Sequence, residues 1–411
     1  MPGATWRRAV ILACTLLCIA PPLPAYSVLS HEAIVDSAWD LSIKPLLLQR
    51  FPQSTAADLV HAHAYAYAGC ILQDMGYYPF GSHLFSDLTH YIRSGDFIAN
   101  MLAQAQDLDE YSFALGSLAH YAADNIGHSI AVNKSVPLLY PKVRRKFGAT
   151  ATYEDSPSDH LRMEFAFDVS QVAEQHYAPD AYHAFIGFEV SKPLLERAFQ
   201  ATYGLPLKDV SKDLDLALGS YRWAVSSLLP EMTRAAWDQK KKEILKDNPH
   251  ADRRKFIYDI SRSSYEKEWG STYVHPGFGA RLLAFVLRWV PKIGPFKTLA
   301  FHPATPETQK LFMDSFVKTL ATYKEKLAEV KRGETPALPD TNFDTGAPAR
   351  AGQYRLADEA SAKLLVMLDK TKFANADAKL RESLTTFYGT DTPTDPKAAA
   401  ALSTLRSLSA N

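Results

Sequence analysis

His120, Asp124 and His128 stand four residues apart in the run His120-Tyr-Ala-Ala-Asp124-Asn-Ile-Gly-His128. On a helix each step of four advances only about 40° around the axis, so all three side chains project from one side. His160-Leu-Arg-Met-Glu164 repeats the device on a second segment. Two such helices face to face offer imidazole nitrogens and carboxylate oxygens to borderline cations, zinc first among them. Asp74 and His90 upstream, with His31 near the start, extend the set beyond the needs of one ion. The chemistry in view is that of a metal site holding more than one ion.

The elements that must position these residues are helices. Apolar residues recur at helical spacing, and alternating strand patterns are scarce. The spacing predicts helices over 30–49, 55–73, 82–93, 95–105, 109–132, 157–176, 179–200, 208–228, 229–246, 251–267, 277–290, 305–332, 355–371 and 376–387. Thr305-Pro306-Glu307 is a start signal, an N-cap followed by proline in the first turn. The fold class expected is all-α: a multi-helix bundle with a metal cluster, over 26–235, then a C-terminal helical extension over 236–411. Between Pro336 and Pro348, prolines alternate with Asp340, Asn342, Asp344 and Gly346, which reads as a linker or a wrapped loop. The residues after Pro393 read as a weakly ordered tail.

The chain opens with Arg7 and Arg8 before an apolar stretch, Ala9 to Ala20, and Pro21-Pro22-Leu23-Pro24 leads on to Ala25. This is the pattern of a signal peptide over 1–25, with an apolar run too short to span a bilayer. A secreted or periplasmic chain beginning at Tyr26 is expected. Cys14 and Cys18 would leave with the leader, so Cys70 has no internal disulfide partner and the core must hold the protein together. Lys and Arg total 45 against 45 Asp and Glu. That balance provides no basic field for duplex DNA. Nothing in the sequence resembles a serine triad or a P-loop.

As an ordered set, His31, Asp74, His90, His120-x-x-x-Asp124, His128 and His160-x-x-x-Glu164 resemble the zinc-dependent phospholipase C family. More distantly they resemble the single-strand nucleases of the same all-α superfamily. The resemblance runs from Tyr26 to Glu164 and continues loosely to about 230. It implies three zinc ions at one end of a helical bundle. Asp74, His90, His120 and Asp124 would hold one, and His128, His160 and Glu164 a second. His31, a bridging Asp124 and the amine and carbonyl of Tyr26 would hold the third. Family members usually begin with Trp, so Tyr26 is a departure, as is the short gap from Asp124 to His128. The long interval from His128 to His160 reads as a solvated basic loop carrying Lys134, Lys142, Arg144, Arg145 and Lys146, or as a lid whose charges meet a phosphate.

Clustered zinc suits phosphodiester hydrolysis, because the ions neutralise phosphoryl oxygens and acidify a water. Asp74 is the candidate catalytic residue, as base or orienter as well as ligand. Tyr77, Tyr78 and Phe80 are candidate substrate-binding residues, whose rings could hold a quaternary ammonium headgroup or pack in the core. His61 and His63 diverge by about 200° on a helix and read as packing residues. His83 is the alternative to His90. The leading function is hydrolysis of phospholipid headgroups. The alternatives are a single-strand nuclease or nucleotidase, which needs an aromatic slot for bases, and a non-catalytic metal-stabilised protein that binds a membrane or a partner. Leu282 to Phe301 reads as a buried helix or as a segment for peripheral membrane contact. No glycine-rich β-sandwich pattern for calcium-dependent lipid docking is present, and the oligomeric state is not legible.

Overall fold

The computed structural model describes residues 28–78, 80–173, 186–223 and 301–409, with isolated positions at 225, 237, 241, 242, 245 and 246. Among these residues the fold is all-α, as expected, with no strand beyond one isolated bridge between Asn342 and Ala347. The first helix, α1 (Val28–Ala38), runs through a wide turn (Trp39–Ile43) into α2 (Lys44–Arg50). Next come α3 (Ala56–Gly69), a tight 3₁₀ turn (Leu72–Tyr77), α4 (His83–Tyr91), α5 (Ser94–Gln104) and α6 (Leu108–Gly127). A second wide turn (His128–Val132) leads to α7 (Asn133–Leu139), α8 (Pro141–Phe147) and α9 (Pro157–Ala173). Then follow α10 (Lys192–Tyr203), α11 (Leu207–Val210), α12 (Leu214–Trp223), α13 (Pro306–Lys331), α14 (Arg355–Asp369), α15 (Ala378–Tyr388) and α16 (Pro396–Ser409).

The central helix is α6. Its start is fixed by Asp107, whose carboxylate accepts from the Glu110 N–H. From Tyr111 to Asp124 every side chain is buried, so α6 is walled by neighbours on all sides. Its closest neighbour is α3, and two glycines set their separation. A Cβ at Gly69 would sit 2.1 Å from Phe113 O, and one at Gly116 would sit 2.1 Å from Ala66 O. The backbones therefore meet with no side chain between them.

The C-terminal part does not stand apart from the bundle. One continuous apolar core includes Phe113 and Leu118 of α6 together with Phe312, Tyr323 and Leu327 of α13 and Leu364 of α14. Thr305 caps α13 in a reciprocal box with Thr308, as the start signal predicts. Tyr323 donates to Leu115 O at 2.9 Å and ties α13 to α6. Residues 336–348 then return across the front of the bundle as a strap. Tyr121 Oη donates to Pro339 O (2.9 Å), Asp96 N–H to Asp340 Oδ1 (2.9 Å), Ser94 Oγ to Thr341 O (2.6 Å) and Phe343 N–H to His90 O (3.1 Å). Gly95 gives the strap its passage, since a Cβ there would lie 2.0 Å from Leu338 O.

Two local expectations are corrected. The interval from His128 to His160 is not a basic loop: α7 and α8 occupy much of it, with Pro141 in the first turn of α8. Lys134, Lys142, Arg144, Arg145 and Lys146 are all exposed on those helices. The expected tail after Pro393 forms α16, which buries Ala398, Ala401, Leu402 and Leu405. The helices expected over 229–290 lie outside the described residues except at 237, 241, 242, 245 and 246, as does Leu282 to Phe301 apart from Phe301 itself, which packs against Phe165. No helix of the described residues is long and apolar enough to cross a membrane.

Candidate metal centre

Six elements bring the ligand-type residues together. His31 comes from α1, Asp74 from the 3₁₀ turn, His90 from the last turn of α4, His120 and Asp124 from α6, and His160 and Glu164 from α9. His128 opens the wide turn that continues α6. All eight are buried. Tyr26 lies outside the described residues.

Asp74, His90, His120 and Asp124 each present a ligand atom within 4.8 Å of the others. His90 Nε2 lies 3.2 Å from Asp74 Oδ1 and 3.4 Å from Asp124 Oδ2, and His120 Nε2 lies 3.1 Å from Asp124 Oδ2. The two Nε2 atoms face each other at 3.4 Å. Their outer nitrogens are held by backbone: His90 Nδ1 reaches Ser86 O at 2.8 Å and His120 Nδ1 reaches Cys70 O at 3.0 Å. A carbonyl only accepts, so each Nδ1 carries a proton and Nε2 is the nitrogen turned to the interior.

Asp124 sits at the junction. Its Oδ1 lies 3.3 Å from His31 Nε2 and 3.8 Å from His128 Nε2, while Oδ2 serves His90 and His120. His31 stacks on His120 with centroids 4.6 Å apart. On the far side, His160 Nε2 lies 2.8 Å and His128 Nε2 3.6 Å from Glu164 Oε1, with the two rings edge to face.

These contacts are close but not aligned as hydrogen bonds. Asp74 Oδ1, both oxygens of Asp124 and of Glu164, and His160 Nε2 are buried without a hydrogen-bond partner. Orphaned buried polar atoms are costly. Here they converge, and a cation between them would satisfy them together. Among the described residues, the ion pairs of Asp74, Asp124 and Glu164 are to histidines alone. The donor set of imidazole and carboxylate fits zinc.

The electrostatics agree. Burial, with Asp124, Asp74 and Asp344 nearby, pushes the Glu164 carboxyl well above the usual range despite His128. Burial alone would raise Asp124, yet His120 and His128 overcome it and hold Asp124 well below the usual value. Burial also works to strip the proton from His90, but Asp124 and Asp74 prevail and hold its pKa up to about 10. Burial lowers His31 and His160, which favours the neutral, ligand-ready form.

The three aromatic candidates separate. Tyr77 turns toward the cluster, its ring 6.0 Å from His90 and 5.9 Å from Tyr153. Tyr78 packs in the core against Tyr221 at 4.8 Å. Phe80 is 59 % exposed, in a left-handed backbone conformation (φ 64°). His61 pairs with Asp109, and His63 pairs with Asp36 while stacking on Trp39, so neither joins the cluster. His83 is exposed and meets Tyr77 edge-on, leaving His90 as the residue that faces Asp74 and Asp124.

Three further residues at the site carry no signal at helical spacing. Tyr153 lies edge-on to His160 with centroids 5.6 Å apart. Phe343, fully buried in the strap, packs on His90 (5.4 Å), His120 (5.9 Å) and Tyr121 (5.4 Å). Asp344 places Oδ1 3.1 Å from His128 Nδ1, and His128, His160 and Asp344 also present polar atoms within 4.8 Å of one another. Asp344 therefore lies beyond the ligand-type residues read from the sequence, which run from His31 to Glu164. Asp344 stands among turn-forming Asn, Gly and Pro, and only its place beside Phe343 in an otherwise polar run hinted at burial.

No curated protein and no solved structure matches the chain. Residues 30–213, a little under half of the chain, match the family model described as zinc dependent phospholipase C. That span contains His31, Asp74, His90, His120, Asp124, His128, His160 and Glu164, and it ends well before the strap. Over that segment the chain is similar to the zinc-dependent phospholipase C family.

Proposed function

We propose that this chain is an exported zinc-dependent phosphodiester hydrolase, a phospholipase C that cleaves the headgroup from a phospholipid to give diacylglycerol and a phosphorylated alcohol. The observation that carries the reading is the convergence of orphaned imidazole and carboxylate atoms on Asp124, inside the segment that matches the family. Zinc bound there would neutralise charge on the phosphoryl oxygens and acidify a water near neutral pH.

The chain's own residues supply the rest. Asp74, His90, His120 and Asp124 are the ligands proposed for one ion, and His128, His160 and Glu164 for a second. His31 and Asp124, with the amine of Tyr26 once a leader ending at Ala25 is removed, are proposed for a third. Asp74 is proposed to orient the attacking water and take its proton, as a carboxylate whose Oδ1 is buried without a hydrogen-bond partner. Burial keeps the Tyr77 phenol well above its usual pKa, so the ring stays neutral and its hydroxyl can donate to a phosphoryl oxygen. Tyr77 and Tyr153 together form an aromatic wall suited to a quaternary ammonium group. The exposed ring of Phe80, three residues beyond, provides an apolar contact for a lipid surface. Export is supported by Arg7, Arg8 and the short apolar run that follows them.

The test is elemental analysis of zinc per chain, together with phosphocholine release from phosphatidylcholine vesicles before and after chelation. Two or three zinc ions and chelator-sensitive release are expected. Zinc without release, combined with cleavage of single-stranded nucleic acid, would replace the lipid substrate. A chain that takes up no zinc would overturn the reading.

A further inference from the structure

His128 has a carboxylate on each side of its ring. Nε2 faces Glu164 Oε1 at 3.6 Å and Asp124 Oδ1 at 3.8 Å, whereas Nδ1 faces Asp344 Oδ1 at 3.1 Å. The two sides differ in kind. The oxygens of Glu164 and Asp124 are buried with no aligned donor. Those of Asp344 are engaged: Oδ1 accepts from His128 Nδ1, and Oδ2 accepts from Tyr153 N–H (2.8 Å) and Tyr354 Oη (2.5 Å). The Asp344 backbone is pinned as well. Its carbonyl accepts from Asn133 Nδ2 at 2.6 Å, and its N–H donates to Asn342 Oδ1 at 2.9 Å. A metal ligand needs uncommitted lone pairs: both oxygens of Glu164 are free of hydrogen bonds, whereas three donors already occupy Asp344.

We propose that Asp344 is a positioning residue of the second metal centre: it accepts the Nδ1–H of His128, fixes that tautomer, and so directs the Nε2 lone pair to the ion shared with His160 and Glu164. The proposal rests on the zinc reading of the site. The cluster repeats one device with different oxygens. His90 and His120 are oriented by the carbonyls of Ser86 and Cys70, whereas His128 is oriented by a charged oxygen 216 residues away in sequence. A carboxylate in that place raises the basicity of the ring more than a carbonyl does, and outer partners of this kind are worth about 10–100-fold in metal affinity. Asp344 lies outside the matched segment 30–213, so the second centre of this chain is completed from beyond it.

Asp344→Asn is the informative variant. The amide oxygen can still accept from Tyr153 and Tyr354, which turns the NH₂ toward His128. That donor makes Nδ1 the acceptor and moves the ring proton to Nε2, the atom that should bind metal. The control is Asn133→Ala, which loosens the strap and leaves the Asp344–His128 bond in place. Zinc affinity of the full chain is measured by competition with a chromophoric chelator, and the visible spectrum of the cobalt-substituted protein reports the coordination sphere. In Asp344→Asn one ion should weaken about 10–100-fold and its cobalt bands should change, with the remaining ions unaltered. Asn133→Ala should bind like the parent.

Unchanged affinity and spectrum in Asp344→Asn overturn the proposal. Equal loss of the ion in both variants also overturns it, because strap docking rather than the Nδ1 bond would then be the cause. If Asp344→Asn does not fold, ¹⁵N-histidine spectra of the zinc-loaded parent decide. His128 protonated at Nδ1 and coordinated through Nε2 is expected, and coordination through Nδ1 overturns it. A parent chain that binds no zinc fails at the metal reading itself, before Asp344 is in question.

Discussion

Phe343→Ala tests whether the strap is part of the metal centre or merely lies on it. The Phe343 ring is fully buried and touches three other rings, those of His90, His120 and Tyr121, at 5.4–5.9 Å between centroids. Truncating a buried Phe costs about 3–5 kcal/mol in transfer and cavity terms together. Loss of edge contacts to three neighbours places this site toward the upper end, about 4 kcal/mol or more. At about 1.4 kcal/mol per decade, that is roughly a thousandfold in the folding equilibrium. Phe343→Leu keeps most of the volume and should cost about 1.5 kcal/mol. The assay is equilibrium urea unfolding of the zinc-loaded chain followed by circular dichroism. Because the ring packs on two ligand histidines, Phe343→Ala should also widen the spread of geometries at the first ion and broaden its cobalt spectrum. A cost under 1 kcal/mol with an unchanged cobalt spectrum would refute the reasoning, because the ring would then not be held between α4 and α6.

Three other outcomes follow from the same geometry. His90, held near a pKa of about 10 by Asp124 and Asp74 against the effect of burial, is protonated in the metal-free protein at neutral pH. Zinc must displace that proton, so apparent affinity should rise with pH up to about 10, and calorimetry in buffers of different ionisation enthalpy should show proton release on binding. Burial raises Asp87 to about 7, against a usual value of 3.8, so the folded state holds its proton more tightly than the unfolded state does. Stability should therefore fall as pH rises from about 4 to about 7, by roughly 4 kcal/mol at 1.36 kcal/mol per unit, and Asp87→Asn should flatten that slope in urea titrations. Gly116→Ala would place a methyl 2.1 Å from Ala66 O and force α3 from α6, so the melting temperature should drop by several degrees in a thermal unfolding scan.

The helical half of the site was legible because its geometry is periodic. His120, Asp124 and His128 share a face at four-residue steps, and His160 and Glu164 repeat the step on α9. Asp74 and His90 needed the order of the whole set, since each alone is a common turn or surface residue. The strap was not legible in the same way. Asp344 and Phe343 have no period, and prolines on both sides argue for a connector. The short helices α7 and α8 read as a basic loop, although Pro141 stands in the first turn of α8, where its missing N–H costs nothing. Tyr77 and Tyr78 are adjacent in sequence yet face the site and the core respectively, a choice made by the tight 3₁₀ turn before them. In α16 the alanines pack against a surface that the sequence alone does not show.

The strap also orders events in time. Loops close more slowly as they lengthen, and contacts far apart in sequence form after those close by. Asp124 and His128 lie in one stretch of helix, and His160 and Glu164 follow within 36 residues, so most of the ligand set can assemble early. His128 meets Asp344 only across an interval of 216 residues. A growing chain that stops between Glu164 and Asp344 thus contains every histidine of the cluster, yet leaves His128 without the carboxylate that sets its tautomer. Maturation of the second centre is tied to completion of the polypeptide, and a shortened product would have an incompletely oriented ligand rather than a finished site.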